Sequence, residues 1–527
     1  MKNTNNFNNI PAEKFQFAKR ADYSHDSKFE TKPVSYFQDA FRRFCKNKGA
    51  VVGAIVILIL VLFAIIAPMC TPYTPQYNDQ MFATARPRNP LFESLGVDFW
   101  DGCREKEANQ ISYLRDLALE LETGKDVIKG DNDIQPDENG MYTYRYNTYY
   151  SVGFGKYKSL TKAEYEDILK YQDETGKQVL YPIVAPWNRP EAYQDNDNAN
   201  IYYKTKVVKS KTQPALDADG NLVPNYWSYE AGSAPGSAVE YTSKMRIEGE
   251  EGFTKNGKQY YYVYAMIKDS GVEVRADYYE YYTYTHYRAG DGIGEPSFLF
   301  GATNAEHGGR DIFACLAYGA RFSFLFALCV AVVNLVVGAI YGSVAGYFGG
   351  KVDLFMERFA EILGAIPSMI VITLLKYHMG TSSHALILFL TFFLTGWIGM
   401  AGTTRMQFYR YKNQEYVLAA RTLGASDSRI MFKHIFPNGL GTIVTACALV
   451  IPNMIYSETN LTYLGIIDLG ETSSVGTLIA AGQDAIMESA HIALFPCLFL
   501  VMLMLSFNLF GNGLRDAFNP SLRGSEG

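Results

Sequence analysis

Hydrophobic residues fall into long uninterrupted blocks along this chain instead of alternating with polar ones. A helix needs about 20 apolar residues to cross a bilayer, and five uncharged blocks satisfy this: 49–70, 322–350, 385–404, 438–457 and 492–514. A sixth block, 354–375, has weaker support because Glu357, Arg358 and Glu361 lie near its start. The pattern therefore predicts an α-helical polytopic membrane protein with six transmembrane helices. The alternative is a soluble protein with buried core helices, which so many blocks of spanning length argue against.

Lysine and arginine are distributed unevenly between the segments that join these blocks. They are frequent in residues 1–48, in the loop at 404–437 and in the tail at 515–527, whereas 457–490 contains none. Because basic residues mark the cytoplasmic side, we expect both termini inside the cell and the protein in the cell membrane. Phe37, Phe41 and Phe44 alternate with basic residues, which predicts a helix on the inner membrane surface within 1–48.

Between the first block, 49–70, and the second lies a polar stretch, 71–300, which this topology places outside the membrane. It is long enough to bury a core of its own, and we expect an α+β extracytoplasmic domain inserted ahead of a five-helix core at 301–514. Thr161 predicts the cap of a helix that ends near Gly176, and 258–267 and 272–287 are predicted to be strands joined by a turn.

Two features of this inserted domain are left open by the sequence. The domain holds most of the chain's 39 tyrosines, which form either a binding face or the core and surface of a β-rich fold. Cys70 and Cys103 either pair as a disulfide or stay free.

Motifs for catalysis or cofactor binding are not apparent. Gly252–Lys258 has the glycine spacing of a phosphate-binding loop, but Gln259 stands where the hydroxyl for Mg²⁺ is needed, so a turn is predicted. Asp217, Asp219 and Asn221 likewise predict a turn in preference to a calcium loop. The seven histidines are scattered, and no nucleophile–base arrangement is visible. We therefore expect no enzyme activity, no metal, no cofactor and no nucleic-acid partner for this chain.

The loop at 404–437 has the pattern of a helix, a break and a second helix. Glu415 begins the first helix, Gly424 suits the left-handed position after its end, and Ser426 can cap the second, which is predicted to run to Pro437. Ala419 and Ala420 predict a patch almost free of side chains, with Arg421 beside it. Such a surface suits docking of another protein, although an ordinary amphipathic loop has similar features.

Several motifs resemble those of oligopeptide and dipeptide ABC importer permeases, specifically the C-type subunit. The segment 415–437 (EYVLAARTLGAS followed by HIFPN) resembles the EAA loop of these permeases. Further similar segments are 308–325 (GGRDIFACLAYGARFSFL), 345–350 (AGYFGG), 457–465 (SETNLTYLG) and 508–516 (NLFGNGLRD). The family lacks a long insertion between its first two spans, which is where 71–300 lies.

The resemblance implies a transmembrane subunit that moves peptides inward by alternating access. Its partners would be a homologous second permease, two cytoplasmic ATPases that bind ATP and Mg²⁺, and an extracytoplasmic peptide-binding protein. The ATPase-coupling residues implied are Glu415, Ala419, Ala420, Arg421, Gly424, Ser426 and Pro437.

Prolines within two predicted spans, Pro367 and Pro452, mark either the translocation path or a hinge, or else fixed kinks. Two other functions remain open: transport of nickel or another small solute, and a membrane receptor that acts through the outer domain.

Overall fold

The computed structural model describes residues 36–130, 134–152, 156–184, 203–230, 247–248, 252–268, 271–380, 384–467, 469 and 473–518. A short amphipathic helix, α1 (Tyr36–Lys46), precedes the first span and carries Arg43 in its last turn. Asn47 caps the following helix by accepting a hydrogen bond from the Ala50 N–H. The predicted N-terminal helix is thus present, and its position on the inner membrane surface stays a prediction.

Five helical stretches in the described residues are long and apolar enough to cross a membrane. They are α2 (Lys48–Cys70), α7 (Ile312–Phe348), α10 (His384–Tyr411), the stretch Asp427–Tyr463 and α15 (His491–Phe518). Four of the five uncharged sequence blocks lie within one of them, and the fifth, 322–350, extends two residues beyond the end of α7. The helices pack through a common core in which Leu60, Ile455 and Leu503 are buried.

The third predicted span is a pair of helices rather than one straight helix. Helix α8 (Gly350–Gly364) and helix α9 (Ser368–Met379) meet at an angle of 68°. Pro367 lies at the break, where its missing N–H cannot continue the helical hydrogen bonds. The described residues therefore contain five helices that are long and apolar enough to cross a membrane, or six if this bent pair crosses as one span.

The inserted domain, residues 71–300, combines small antiparallel sheets with helices. The helices are α3 (Pro90–Ser94), α4 (Gln110–Thr123), α5 (Lys162–Thr175) and α6 (Tyr278–Ala289). The larger sheet has the order β4 (Lys156–Leu160), β13 (Gly271–Ala276), β12 (Ala265–Lys268), β9 (Ile247–Glu248), with β5 (Leu180–Tyr181) also on β13. A second sheet has the order β1 (Cys103–Ala108), β3 (Tyr142–Asn147), β2 (Ile128–Lys129). A third has the order β10 (Gly252–Lys255), β11 (Lys258–Tyr262), β8 (Ser228–Glu230). The strands β6 (Thr205–Val208) and β7 (Lys211–Pro214) form a two-stranded sheet.

Three local predictions for the inserted domain are confirmed. Helix α5 is capped by Thr161 in a full capping box with Glu164, and it ends at Gly176 in the left-handed conformation. The Gly252–Lys258 segment is an antiparallel hairpin of β10 and β11, not a loop that leads into a helix. Asp217 closes a turn by accepting hydrogen bonds from the N–H groups of Asp219 and Asn221.

The prediction of a strand over 272–287 is wrong in its second half. The strand β13 ends at Ala276, and Asp277 then caps α6 by accepting a hydrogen bond from the Tyr279 N–H. The first predicted strand, 258–267, is two strands, β11 and β12, which belong to different sheets. Aromatic residues fill both the odd and the even positions of 278–287, so alternation alone could not distinguish a strand from a helix.

Tyrosines of the inserted domain largely serve its interior. Tyr149, Tyr279 and Tyr282 are buried together with Phe82 and Phe298 in the cluster that lies nearest the membrane-spanning helices. Cys70 and Cys103 are both free thiols in this structure. The core interpretation of the tyrosines is therefore confirmed for this cluster, and the disulfide alternative is not.

The inserted domain rests directly on the chain around the start of α15. Arg86 donates a hydrogen bond to the Glu488 carbonyl at 2.9 Å, and the His491 Nε2–H group donates to the Ala85 carbonyl at 3.1 Å. The rings of Phe300 and Phe495 stack with centroids 4.0 Å apart. Polar and aromatic contacts thus fix the base of the domain to a membrane-spanning helix.

Candidate functional site

The loop between α10 and the last spans contains a short helix, α11 (Glu415–Thr422), that ends in a Schellman motif. Gly424 has φ +80°, its N–H donates to the Arg421 carbonyl at 3.0 Å, and the Ala425 N–H donates to the Ala420 carbonyl at 3.1 Å. No atom lies within 4 Å of a Cβ built on Gly424. The constraint on this residue is therefore its backbone conformation rather than crowding, as predicted.

The second half of the loop differs from its prediction at two residues. Ser426 occupies the position before α12 (Asp427–Arg429), but its side chain makes no capping hydrogen bond. Pro437 does not end the helix: a π-helical turn at Ile430–Ile435 leads into α13 (Phe436–Tyr463) without a break. Proline is tolerated there because it lies in the first turn of the regular α-helical segment, and such π turns are frequent at functional positions.

Packing against α7 and α10 holds this loop in place. Val417, Ile430 and Ile435 are buried with Tyr347 of α7 and Phe408 of α10. The Tyr347 hydroxyl donates to Asp427 Oδ1 at 2.5 Å, and the Arg421 guanidinium lies 5.8 Å from the Tyr347 ring centroid. These contacts connect α11 and α12 to the end of α7.

Ala419 and Ala420 face in different directions, so the predicted patch of two small residues is wrong. Ala420 is only 9% exposed and packs within this chain, whereas Ala419 is exposed. Residues three and four apart share a helix face, and the outward face of α11 and its end consists of Glu415, Leu418, Ala419, Thr422 and Leu423. We call these five residues the docking face.

Three residues of the docking face, Leu418, Thr422 and Leu423, are not among the predicted coupling residues, and Leu423 is the most exposed apolar one of them. It is 87% exposed, immediately before Gly424, and so projects from the end of the helix. An apolar residue placed directly before a helix-ending glycine in a charged loop is the signal that indicates it. The exposed Leu423 side chain lies beside Ala419, whose small side chain leaves space on the surface. Such a surface suits a contact with another protein.

Tyr416 connects the docking face to the start of α13. Its phenol oxygen accepts a hydrogen bond from Asn438 Nδ2 at 3.2 Å. Burial raises the pKa of Tyr416 above its ordinary value, and this side chain is therefore a neutral phenol at physiological pH.

A glycine stripe on α7 lets α10 approach closely behind this loop. A Cβ on Gly342 would lie 2.2 Å from the Ala401 carbonyl oxygen, and one on Gly346 would lie 2.6 Å from the Phe408 Cβ. Close backbone approach through small residues is the usual way in which membrane helices associate. The α7–α10 pair is therefore the rigid frame that supports the loop.

Arg405 links this frame to the bent pair of helices. Its guanidinium donates to both oxygens of Asp353, at 2.5 and 2.7 Å, and to both oxygens of Glu357, at 3.0 Å each. The Tyr409 hydroxyl also donates to Asp353, at 2.6 Å. These bonds attach α8 to α10, which explains why charged residues are tolerated at the start of the weakest predicted span.

The two predicted hinge prolines have different settings. Pro367 lies at the 68° break between α8 and α9, whereas Pro452 is buried inside the uninterrupted helix α13. Six residues after Pro452, Glu458 is fully buried and accepts a hydrogen bond from the Ser323 hydroxyl of α7 at 2.9 Å. Only Pro367 thus lies at a sharp bend.

Comparison with known proteins shows where the similarity lies. The family model described as "Binding-protein-dependent transport system inner membrane component" matches residues 338–524, and "N-terminal TM domain of oligopeptide transport permease C" matches 35–89. Both matched ranges lie outside residues 90–337, which include most of the inserted domain.

Among curated proteins, the oligopeptide transport system permease protein OppC of Bacillus subtilis (strain 168) is 42% identical over 215 residues, which cover 41% of this chain and 70% of that protein. The dipeptide transport system permease protein DppC of the same organism is 39% identical, over 41% of this chain and 67% of that protein. OppC of Escherichia coli (strain K12) is 38% identical, over 41% and 72%.

Together with the helical bundle, these matches define a membrane-spanning permease subunit of an ABC importer. The chain belongs to the family of binding-protein-dependent transport system inner membrane components. Permeases of this family work with ATPase subunits and a substrate-binding protein, and the docking face lies in the loop where the resemblance expected the ATPase contact.

Proposed function

We propose that this chain imports oligopeptides or dipeptides as one of two permease subunits that share a translocation path. The single observation that carries the proposal is the 42% identity to an oligopeptide permease over 215 residues. The second permease would be a homologous chain, and the transport energy would come from ATP bound with Mg²⁺ by two cytoplasmic ATPase subunits.

In the proposed mechanism the docking face transmits ATPase movement to the spans. An ATPase groove receives Leu418 and Leu423, and closure of the ATPase dimer tilts α11. The movement passes through the Asp427–Tyr347 hydrogen bond to α7 and through Arg405 to α8. The break at Pro367 lets α9 change its angle to α8 without disrupting a helical hydrogen bond, which supports a hinge at this residue.

We propose that the inserted domain lies outside the cell and contacts the substrate-binding protein. The contacts of Arg86, Ala85 and Phe300 with the start of α15 support this role. Because the base of the domain is fixed to a span, binding of the substrate-binding protein to the domain would be transmitted to the outer end of the helical bundle.

The substrate class is tested by reconstituting the chain with its partner subunits in proteoliposomes and measuring ATP hydrolysis. The binding protein is added empty, loaded with di- to hexapeptides, or incubated with Ni²⁺ or single amino acids. We expect ATP hydrolysis to be stimulated only when the binding protein is loaded with peptides. Stimulation by nickel and not by peptides would contradict the peptide proposal while leaving the importer class intact.

A second measurement addresses the absence of an ATPase in this chain. Purified without partner subunits, the chain should neither bind nor hydrolyse ATP, because the Gly252–Lys258 segment is a hairpin turn. ATP hydrolysis that persists after removal of every partner subunit would contradict this part of the proposal.

A further inference from the structure

A cavity of about 350 Å³ lies where the ends of α10 and α15 meet the beginning of α13. Arg410 of α10 and Arg515 of α15 line it. Arg410 is the last residue but one of α10, and Arg515 lies in the last turn of α15. The two guanidinium groups therefore lie at the same end of the bundle, the end predicted to be cytoplasmic.

The lining of the cavity carries two positive charges. Among the residues that the structure describes, neither Arg410 nor Arg515 forms an ion pair, and both side chains are exposed. By contrast, Arg405, less than two helical turns before Arg410, is fully engaged by Asp353 and Glu357. Two like charges at one cavity repel each other, and an anion between them would relieve that repulsion.

The character of the cavity changes along α13. Thr403, Thr442 and Thr445 contribute hydroxyl groups to the lining, whereas Ala446 and Leu449, further along α13 than Thr442, form an apolar wall. Thr442 and Leu449 are seven residues apart, which corresponds to about 10 Å of helix. The lining is thus charged at the end of the bundle predicted to be cytoplasmic and has an apolar wall further along α13.

We propose that this cavity binds an anionic phospholipid of the cytoplasmic leaflet. The phosphate group would lie between Arg410 and Arg515, and an acyl chain would follow Ala446 and Leu449. Basic pockets between helices on the cytoplasmic side are suited to such headgroups. Free phosphate has the same headgroup chemistry but would gain nothing from the apolar wall, so the lipid is the occupant that both halves of the cavity fit.

The test measures binding of phosphatidylglycerol to the full chain purified in its complex. The complex is titrated in detergent with fluorescent phosphatidylglycerol, and separately with inorganic phosphate as competitor. The double variant Arg410→Gln/Arg515→Gln should weaken lipid binding at least about tenfold. Thr442→Leu, which keeps both charges but narrows the cavity, should weaken it as well.

The matched control is Lys351→Gln/Arg358→Gln, which removes two exposed cations at the same end of the bundle from α8, outside the cavity. This variant should bind the lipid as wild type does. An equal loss in the control would mean diffuse surface charge and would overturn the proposal. Displacement of the lipid by millimolar phosphate would also overturn the proposal. Unchanged lipid binding in Arg410→Gln/Arg515→Gln would overturn it as well, since the lipid would then bind elsewhere while a partner subunit fills the cavity.

Discussion

Close approach between spans depends on the absence of a side chain at single residues. At Gly342 a Cβ would meet the Ala401 backbone carbonyl at 2.2 Å, which no rotamer change can relieve. Gly402, on the partner helix α10, has no atom within 4 Å of such a Cβ. A side chain therefore clashes with the neighbouring helix at Gly342 and has open space at Gly402.

We predict that Gly342→Val separates α7 from α10 and greatly lowers the amount of chain in the membrane, whereas Gly402→Val leaves it near normal. Overpacking of a close contact typically costs about 1–3 kcal/mol, and the backbone clash at Gly342 places it at the upper end. Quantitative immunoblotting of membranes and the melting temperature in detergent measure the effect. Equal levels of the two variants would contradict the close crossing.

The two neighbouring alanines of α11 provide a second comparison at this scale. Ala419→Glu places a charge on the docking face and should abolish ATPase binding while the amount of chain stays normal. Ala420→Glu buries a carboxylate within the chain itself and should also lower the amount of chain. Co-purification of the ATPase subunits, normalised to the amount of chain, separates the two effects. Normal ATPase binding by Ala419→Glu would exclude this face as the contact.

Individual elements differ in how far their sequence could predict them. Helix α5 was predictable because its signals are local: Thr161 and Glu164 form the capping box and Gly176 ends the helix. Helix α6 was not, because its run of tyrosines fits a strand and a helix equally and tertiary burial decides between them. Pro437 likewise gave a false helix end, since the π turn before it cannot be read from the sequence.

The docking face, too, could be predicted from the sequence only in part. The break at Gly424 was predictable from the residue type, because glycine adopts positive φ at low cost. Which of Ala419 and Ala420 points outward was not, because that depends on how α11 packs on Tyr347 and Phe408. The bend of the third span was indicated by Pro367, but the attachment of its charged residues to α10 was not, because their partner Arg405 is about 50 residues away in sequence.

A prediction for the α8–α10 connection follows from the Arg405 pairs. Arg405→Gln leaves Asp353, which is nearly buried, without its cation and should lower the free energy of unfolding by about 2 kcal/mol, less than for a fully buried pair. Adding Asp353→Asn should restore part of the loss. Arg429→Gln, at an exposed arginine of α12, serves as the control. Thermal unfolding in detergent measures all four chains, and equal melting temperatures would contradict the proposed attachment.

At the scale of the whole molecule, the inserted domain has two parts. Its base, around Arg86, Tyr149 and Phe298, is joined to the membrane-spanning helices, whereas its periphery is not. The Tyr149 hydroxyl donates to the Arg86 carbonyl at 2.7 Å and accepts from the Phe298 N–H at 3.2 Å, so it joins both ends of the insertion. The strand β6 is exposed along its whole length. The insertion is therefore not a unit that can be removed cleanly.

We expect deletion of 105–285 to lower the amount of chain in the membrane, because it removes Tyr149, Tyr279 and Tyr282 from the base cluster. Replacement of the hairpin Thr205–Pro214 by a short Gly-Ser linker should leave the amount unchanged. Fluorescence-detected size-exclusion chromatography of tagged chains provides the measurement. A well-assembled complex with the large deletion would show that the base is dispensable.

The central claim is that partner ATPases drive this permease through α11 and its end at Gly424, and substrate-stimulated ATP hydrolysis by the reconstituted complex tests it most directly. A side chain at the positive φ of Gly424 costs roughly 1–2 kcal/mol, which should redirect Leu423 without preventing assembly. Gly176→Val, at an equally open left-handed glycine in the inserted domain, is the matched control. We predict normal stimulation by the peptide-loaded binding protein in Gly176→Val and none in Gly424→Val at equal amounts of assembled complex. Full stimulation in Gly424→Val would contradict the assignment of α11 as the coupling element.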